Sequence, residues 1–126
     1  KLPVEMENLD ATVVSDAKWL RFVIEQILSN AVKYTKEGCV HISFRGNALV
    51  IRDSGMGIRP EDLPRIFEKG YTGYNGRLDN RASGIGLFLA KKVADALSIE
   101  ISVESTLNKG TAVTLRFPDG DKWIFQ

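Results

Sequence analysis

The stretch Leu20-Arg21-Phe22-Val23-Ile24-Glu25-Gln26-Ile27-Leu28-Ser29-Asn30-Ala31-Val32-Lys33-Tyr34 decides how the chain folds. Its apolar side chains Leu20, Val23, Ile24, Ile27, Leu28, Ala31 and Val32 recur every three to four residues over more than three turns, which predicts an amphipathic helix with one buried face. Ser15 and Asp16 offer N-caps, and Gly38 stops the helix. On a wheel at about 100° per residue, Gln26, Asn30 and Lys33 share one narrow stripe beside the apolar face, and Tyr34 closes it toward the core.

Outward from this helix the chain turns to strands. Upstream, Leu2 to Val14 alternates partially and predicts one or two edge-like strands around Glu7-Asn8. Downstream, the β-rich runs Cys39 to Arg45 and Ala48 to Arg52 flank Gly46-Asn47, a dipeptide suited to a tight antiparallel hairpin because both residues tolerate positive φ. Pro60-Glu61-Asp62 has the composition of a short helix's first turn. The segment from Gly70 through Ser83 shows no apolar period and reads as a long loop, which a small domain seldom keeps without a use. Ser83-Gly84-Ile85-Gly86 opens a second helix, with Ile85, Leu89, Val93, Ala94 and Leu97 expected on its buried face. Ser98 to Ser105 and Thr111 to Phe117 are two further strands around a turn at Asn108-Lys109-Gly110. The expected fold is α+β: a two-layer sandwich, its sheet mixed but mainly antiparallel, with about three helices on one face.

Composition narrows the chemistry. The chain has 126 residues, 44% hydrophobic and 26% charged, a size and balance at which one core suffices without a staple. It holds one histidine, His41, and one cysteine, Cys39, so neither an intrachain disulfide nor a Cys/His zinc site of about four ligands can form. Seventeen Lys and Arg against sixteen Asp and Glu leave a net charge of +1, with no block suited to nucleic acid. No apolar run approaches the roughly 18 residues that span a bilayer.

Three motifs carry the chemistry. The Asn30 amide oxygen suits Mg²⁺, a hard cation that takes one or two protein ligands beside phosphate and water; from that stripe alone a solvated helix flank is the plainer reading. Asp53-Ser54-Gly55-Met56-Gly57-Ile58 follows the strand Leu49 to Arg52. A carboxylate there can accept a hydrogen bond from an exocyclic amine, and the two glycines allow the backbone close to a flat ring. Gly84-Ile85-Gly86-Leu87 stands at a helix start, where free N–H groups favour phosphate.

Taken in order, these motifs resemble the ATP-binding catalytic domain of bacterial sensor histidine kinases, with the Bergerat fold shared by gyrase-type ATPases. Glu25 to Thr35 resembles the N box of that family, Asp53 to Ile58 its first glycine box, Ile66-Phe67-Glu68 its F box, Gly84 to Leu87 its second glycine box, and Lys109-Gly110-Thr111 its last short box. The resemblance covers about Leu9 to Phe117. It implies ATP and Mg²⁺ as ligands, with Asn30 on the metal, Lys33 on phosphate and Tyr34 near the nucleotide. Asp53 would read adenine, supported by Gly55, Gly57, Ile58 and the Thr111 hydroxyl. Phe67 would pack the lid and help meet the acceptor domain. Gly84, Ile85, Gly86 and Leu87 would form the phosphate turn, and residues 59–83 a mobile lid in which Arg77 and Arg81 are both candidates for the γ-phosphate. The wording Phe67 to Gly73 with Asn75-Gly76-Arg77 also resembles the small peptide-antibiotic-sensing kinases of Gram-positive bacteria.

The family usually has Asn one turn before the metal Asn, where this chain has Gln26. Water-splitting members have a Glu there as general base, and Glu25 lies about 140° from Asn30 around the wheel, so phosphoryl transfer to another nucleophile is favoured over hydrolysis. His41 reads as an ordinary strand residue. The acceptor histidine is therefore expected on a dimerisation domain outside residues 1–126, which would form one catalytic domain of a longer, membrane-anchored kinase, cytoplasmic, monomeric in isolation and feeding a response regulator. An ATPase or a serine protein kinase of the same fold are the alternatives.

Overall fold

The computed structural model describes residues 4–7, 16–35, 37–71 and 86–118. In chain order these form β1 (Val4–Glu7), α1 (Ala17–Lys33), β2 (Val40–Arg45), β3 (Ala48–Asp53), a 3₁₀ turn (Leu63–Arg65), α2 (Gly86–Ala96), β4 (Glu100–Thr106) and β5 (Gly110–Arg116). Helix α1 starts where an acidic cap permits: Asp16 is extended, and its carboxylate accepts from the Lys18 and Trp19 amides. Pro60 to Asp62 form a turn rather than helix; the helical piece begins at Leu63 and lasts three residues.

The strands build one sheet in the order β1-β2-β3-β5-β4. Strand β1 runs parallel to β2 at one edge and every other pair is antiparallel, the mixed but mainly antiparallel sheet expected. Gly46 and Asn47 take φ of 57° and 62°, the left-handed pair that a two-residue hairpin needs. Register then fixes the faces, because directly paired residues point the same way. Ile42 pairs with Ile51, Leu49 with Leu115 and Ile101 with Leu115, and all lie in the core against Val23 and Ile27 of α1 and Ala90 and Ala94 of α2. Asp53, Thr111 and Ser105 continue that inner face to one end of the sheet, paired as Asp53 with Thr111 and Ser105 with Thr111.

Helix α2 buries Ala94 and packs Val93 and Leu97 against the core as its sequence reading expects, but differs at one position: Leu89 is 39% exposed and Ala90, not expected there, is fully buried. A small side chain at Ala90 lets α2 approach its neighbours closely. Of the apolar pair expected at the end of α1, Ala31 is buried and Val32 is half exposed. Of the expected N-terminal strands, Val4–Glu7 forms, and the remainder lies outside the described residues. Residues 72–83 of the expected lid also lie outside them. No helix among the described residues is long and apolar enough to cross a membrane.

Candidate functional site

The site gathers where the C-terminal end of α1 meets the end of β3. Asn30 and Lys33 are half-buried on α1, with the Lys33 ammonium 5.8 Å from the Tyr34 ring centroid. The Asn30 carboxamide takes no hydrogen-bond partner among the described residues. Gln26, one turn earlier, reaches toward α2: a Cβ on Gly86 would lie 2.5 Å from the Gln26 Oε1. Glu25 is held away, its carboxylate bonded at 3.1 Å to the Arg21 Nε on the exposed side of the helix.

Asp53, the last residue of β3, turns its carboxylate back to accept from the Gly55 amide at 2.9 Å. Burial pushes the Asp53 pKa above its ordinary value, and donors restrain that rise: the Gly55 and Thr111 amides and the nearby Thr35 hydroxyl. Thr35 Oγ1 stands close enough to influence the carboxylate yet falls outside hydrogen-bond geometry, and it is buried without a partner in a residue only 4% exposed. A buried hydroxyl left unpaired costs about 1–3 kcal/mol. The cradle around it is tight, since a Cβ on Gly55 would strike the Tyr34 carbonyl and the Thr35 side chain.

Backbone contacts hold the turn after Asp53 on two sides. The Met56 amide donates to the Tyr34 carbonyl at 3.2 Å, and the Met56 carbonyl accepts from the Asn108 amide at 2.7 Å. Gly57, at φ 71°, packs so closely on Thr106 and Leu107 of the β4–β5 turn that no side chain fits. The Ile58 amide donates to Ser105 Oγ at 2.8 Å. The Asp53 carboxylate is thus fixed relative to both α1 and the last hairpin.

The raised Asp53 pKa sets a pH dependence. Only the ionised form accepts from an amine on both free lone pairs, so binding of an amine-bearing base should weaken as pH falls through a pKa lying above the ordinary 3.8. Folding responds with the opposite sign. A pKa raised in the folded state makes a contribution that is present in full below the unfolded value and is lost as pH rises through the folded one. On the expectation that Asp53 accepts from a base amine, adenosine, which has no phosphate to titrate, should lose affinity as pH falls through the raised Asp53 pKa in the wild type, while Asp53→Asn should show a weak and flat profile.

Phe67 is half-buried against the core, and Leu87 is half-buried on the first turn of α2, which Gly86 begins. Arg77, Arg81, Gly84 and Ile85 lie outside the described residues. Sequence reasoning missed a clasp between Arg59 and Tyr71. Asp62, buried at 5% exposure, accepts from the Arg59 Nε at 2.9 Å and from the Tyr71 hydroxyl, and the Arg65 guanidinium lies 4.4 Å over the Tyr71 ring. The clasp fixes the position from which the chain enters residues 72–85. Tyr71→Phe keeps the ring beneath Arg65 and deletes one bond to a buried carboxylate, so urea unfolding should show a loss of about 1.5 kcal/mol.

A family model described as "Histidine kinase-, DNA gyrase B-, and HSP90-like ATPase" matches residues 15–121, which takes in all of these elements except β1. The chain belongs to this ATPase family. Among relatives, it is 47% identical over 116 residues to the sensor protein BceS of Halalkalibacterium halodurans, covering 89% of this chain and 35% of that one. It is 46% identical over 115 residues to the sensor protein kinase GraS of Staphylococcus aureus strain MRSA252, covering 88% and 33%. The chain therefore spans about a third of the length of these relatives. Among solved structures, the mycobacterial sensor histidine kinase MprB superposes with a TM-score of 0.75 at 25% identity, over 90% of this chain and 79% of that one. The catalytic domain of the histidine kinase ThkA superposes at 0.73 with 20% identity, a likeness of fold. In this histidine kinase-, gyrase B- and HSP90-like ATPase domain, α1, the β3 end and the last hairpin converge on one half-buried carboxylate, Asp53.

Proposed function

We propose that this domain binds ATP with Mg²⁺ and presents the γ-phosphoryl group to a histidine on another domain of a sensor kinase, from which an aspartate of a response regulator takes it. The observation that carries this reading is the half-buried acceptor at the end of β3: the Asp53 carboxylate, with the buried, unpaired Thr35 hydroxyl beside it and the Gly55 cradle beneath. An adenine amine satisfies the carboxylate, and the same ligand or an accompanying water satisfies the hydroxyl. The names of the sensor protein kinase GraS and the sensor histidine kinase MprB support the assignment.

The donor set also fits Mg²⁺. Among the described residues no group of three or more His, Cys, Asp or Glu could form a protein cage, and Asn30 offers one amide oxygen on the face that carries Lys33. That is the pattern of a cation held mainly by phosphate oxygens and water. Bound Mg²⁺ would neutralise phosphate charge; Lys33, with Arg77 and Arg81 as candidates, would orient and balance the rest. Phe67 would sit where the lid and the acceptor domain meet.

Two features favour transfer over hydrolysis. Glu25 is engaged with Arg21 on the exposed side of α1, and Gln26 carries no basic carboxylate, so neither can activate water beside Asn30. His41 cannot be the acceptor within the chain: it pairs with Arg52 on the sheet face opposite Asp53 and the helices. The acceptor is then a separate dimerisation domain, and this domain is the cytoplasmic, ATP-holding part of a membrane-anchored kinase. Mixing the chain with ATP, Mg²⁺ and a matching acceptor domain should yield acid-labile label on the acceptor. Steady ADP release with no label would instead indicate an ATPase, and acid-stable label a serine kinase.

A further inference from the structure

We infer that Ser105 is a positioning residue for base recognition, fixing the Thr111 hydroxyl as a hydrogen-bond acceptor facing the purine. The inference rests on the reading that Asp53 and Thr111 form the adenine floor.

Ser105 Oγ has three neighbours: the Ile58 amide at 2.8 Å, the Gly110 carbonyl at 2.9 Å and Thr111 Oγ1 at 2.8 Å. Ile58 N–H can only donate to it, and the Gly110 carbonyl can only accept from it. The single Ser105 hydroxyl proton therefore goes to Gly110, since turning it to Thr111 would leave two acceptor oxygens facing each other at 2.9 Å. Thr111 must then donate to Ser105, and its only hydroxyl proton is spent. What Thr111 keeps is lone pairs. It stands next to Asp53 in the register, whose carboxylate also only accepts.

The polarity of the floor follows. Two neighbouring acceptors suit a base edge that carries an exocyclic amine or a bridging water that can donate. They repel an edge that carries a carbonyl oxygen at the same place, as guanine does. Ser105 touches no base in this scheme and acts through Thr111. It also links the first glycine turn to the last hairpin, so a purely structural role is the competing explanation.

The two explanations separate on base discrimination. Affinities of the chain for ATP and GTP, measured by calorimetry in the wild type, Ser105→Ala, Ser105→Thr, Thr111→Val and the Ser105→Ala/Thr111→Val double variant, give the ATP:GTP preference of each. Ser105→Ala frees the Thr111 proton to rotate toward the base, and the preference should fall about tenfold. Ser105→Thr, which keeps the hydroxyl on a side chain suited to a strand, should restore it. In the Thr111→Val background, Ser105→Ala should leave the preference unchanged.

An equal loss for both nucleotides in Ser105→Ala, or a change in preference that persists without Thr111, overturns the inference. If Ser105→Ala does not fold, the wild type answers by NMR: a slowly exchanging Thr111 hydroxyl proton directed at Ser105 supports it, and a Ser105 proton directed at Thr111 refutes it. A wild-type chain that binds neither nucleotide would overturn the functional reading itself, whereas ATP binding with an unaltered preference in Ser105→Ala overturns this inference alone.

Discussion

Asp53→Asn should abolish useful ATP binding while leaving the fold intact. The substitution preserves shape, and an amide oxygen still accepts from the Gly55 and Thr111 amides that reach the carboxylate. Removing a half-buried charge also relieves the desolvation that raises the Asp53 pKa, which offsets the weaker hydrogen bonds. The urea midpoint should therefore move little. Toward the base the change is severe, because an amide N–H2 facing an exocyclic amine replaces attraction with donor against donor. Losing a charged acceptor in a desolvated site costs about 2–3 kcal/mol, or roughly 30- to 150-fold in Kd. Unchanged ATP affinity in a folded Asp53→Asn would remove Asp53 from the site.

Asn30→Ala should have the larger effect on the reaction and a smaller one on stability. Alanine favours the helix interior over asparagine by about 0.5 kcal/mol, and the half-buried Asn30 carboxamide has no partner to lose among the described residues. Thermal unfolding should thus be unchanged or slightly raised. Loss of the oxygen proposed to hold Mg²⁺ removes charge neutralisation worth several kcal/mol at the transition state, so label transfer to an acceptor domain should fall by about a thousandfold. Nucleotide affinity measured without Mg²⁺ should change far less. Transfer at the wild-type rate would sink the metal assignment.

The contrast between these positions and Ser105 shows what the sequence could carry. Helix α1 was legible because its apolar spacing is regular and its cap, Asp16, is adjacent in the chain. Asp53, Gly55 and Gly57 were legible because a carboxylate and two glycines after a strand form a compact pattern. Thr35 and Ser105 were not singled out, since their importance arises from what tertiary folding places beside them: an unpaired hydroxyl under Gly55, and an amide 47 residues away. One signal was available for Ser105. It precedes Thr111 by six residues around a turn centred on Asn108, the spacing of facing residues in a short hairpin. The burial of Ala90 in place of Leu89 was hidden for another reason, since a lone alanine beside a leucine reads as neutral in a hydrophobic pattern yet governs how closely helices approach. The Asp62 clasp was hidden by its ordinary polar composition, which burial alone distinguishes from a solvated turn.

The pairing of Asp53 with Thr111 has a consequence for when the molecule becomes competent. These neighbours in the sheet are 58 residues apart in the chain (111 − 53), the last hairpin clamps the turn after Asp53 through Asn108 and Ser105, and the other wall is the end of α1. A nascent chain on the ribosome can complete α1 and the β2–β3 hairpin and still lack Thr111 beside Asp53, and with it the floor proposed for a base. Competence arrives only when the C-terminal hairpin closes that long loop, a non-local step of the slow kind. A nucleotide would then act as a ligand of finished chains alone, adding about 2.7 kcal/mol to their stability at a hundred times its Kd. In a cell rich in ATP, quality control would meet two populations, a ligand-braced complete domain and a bare incomplete one, separated by a single hairpin.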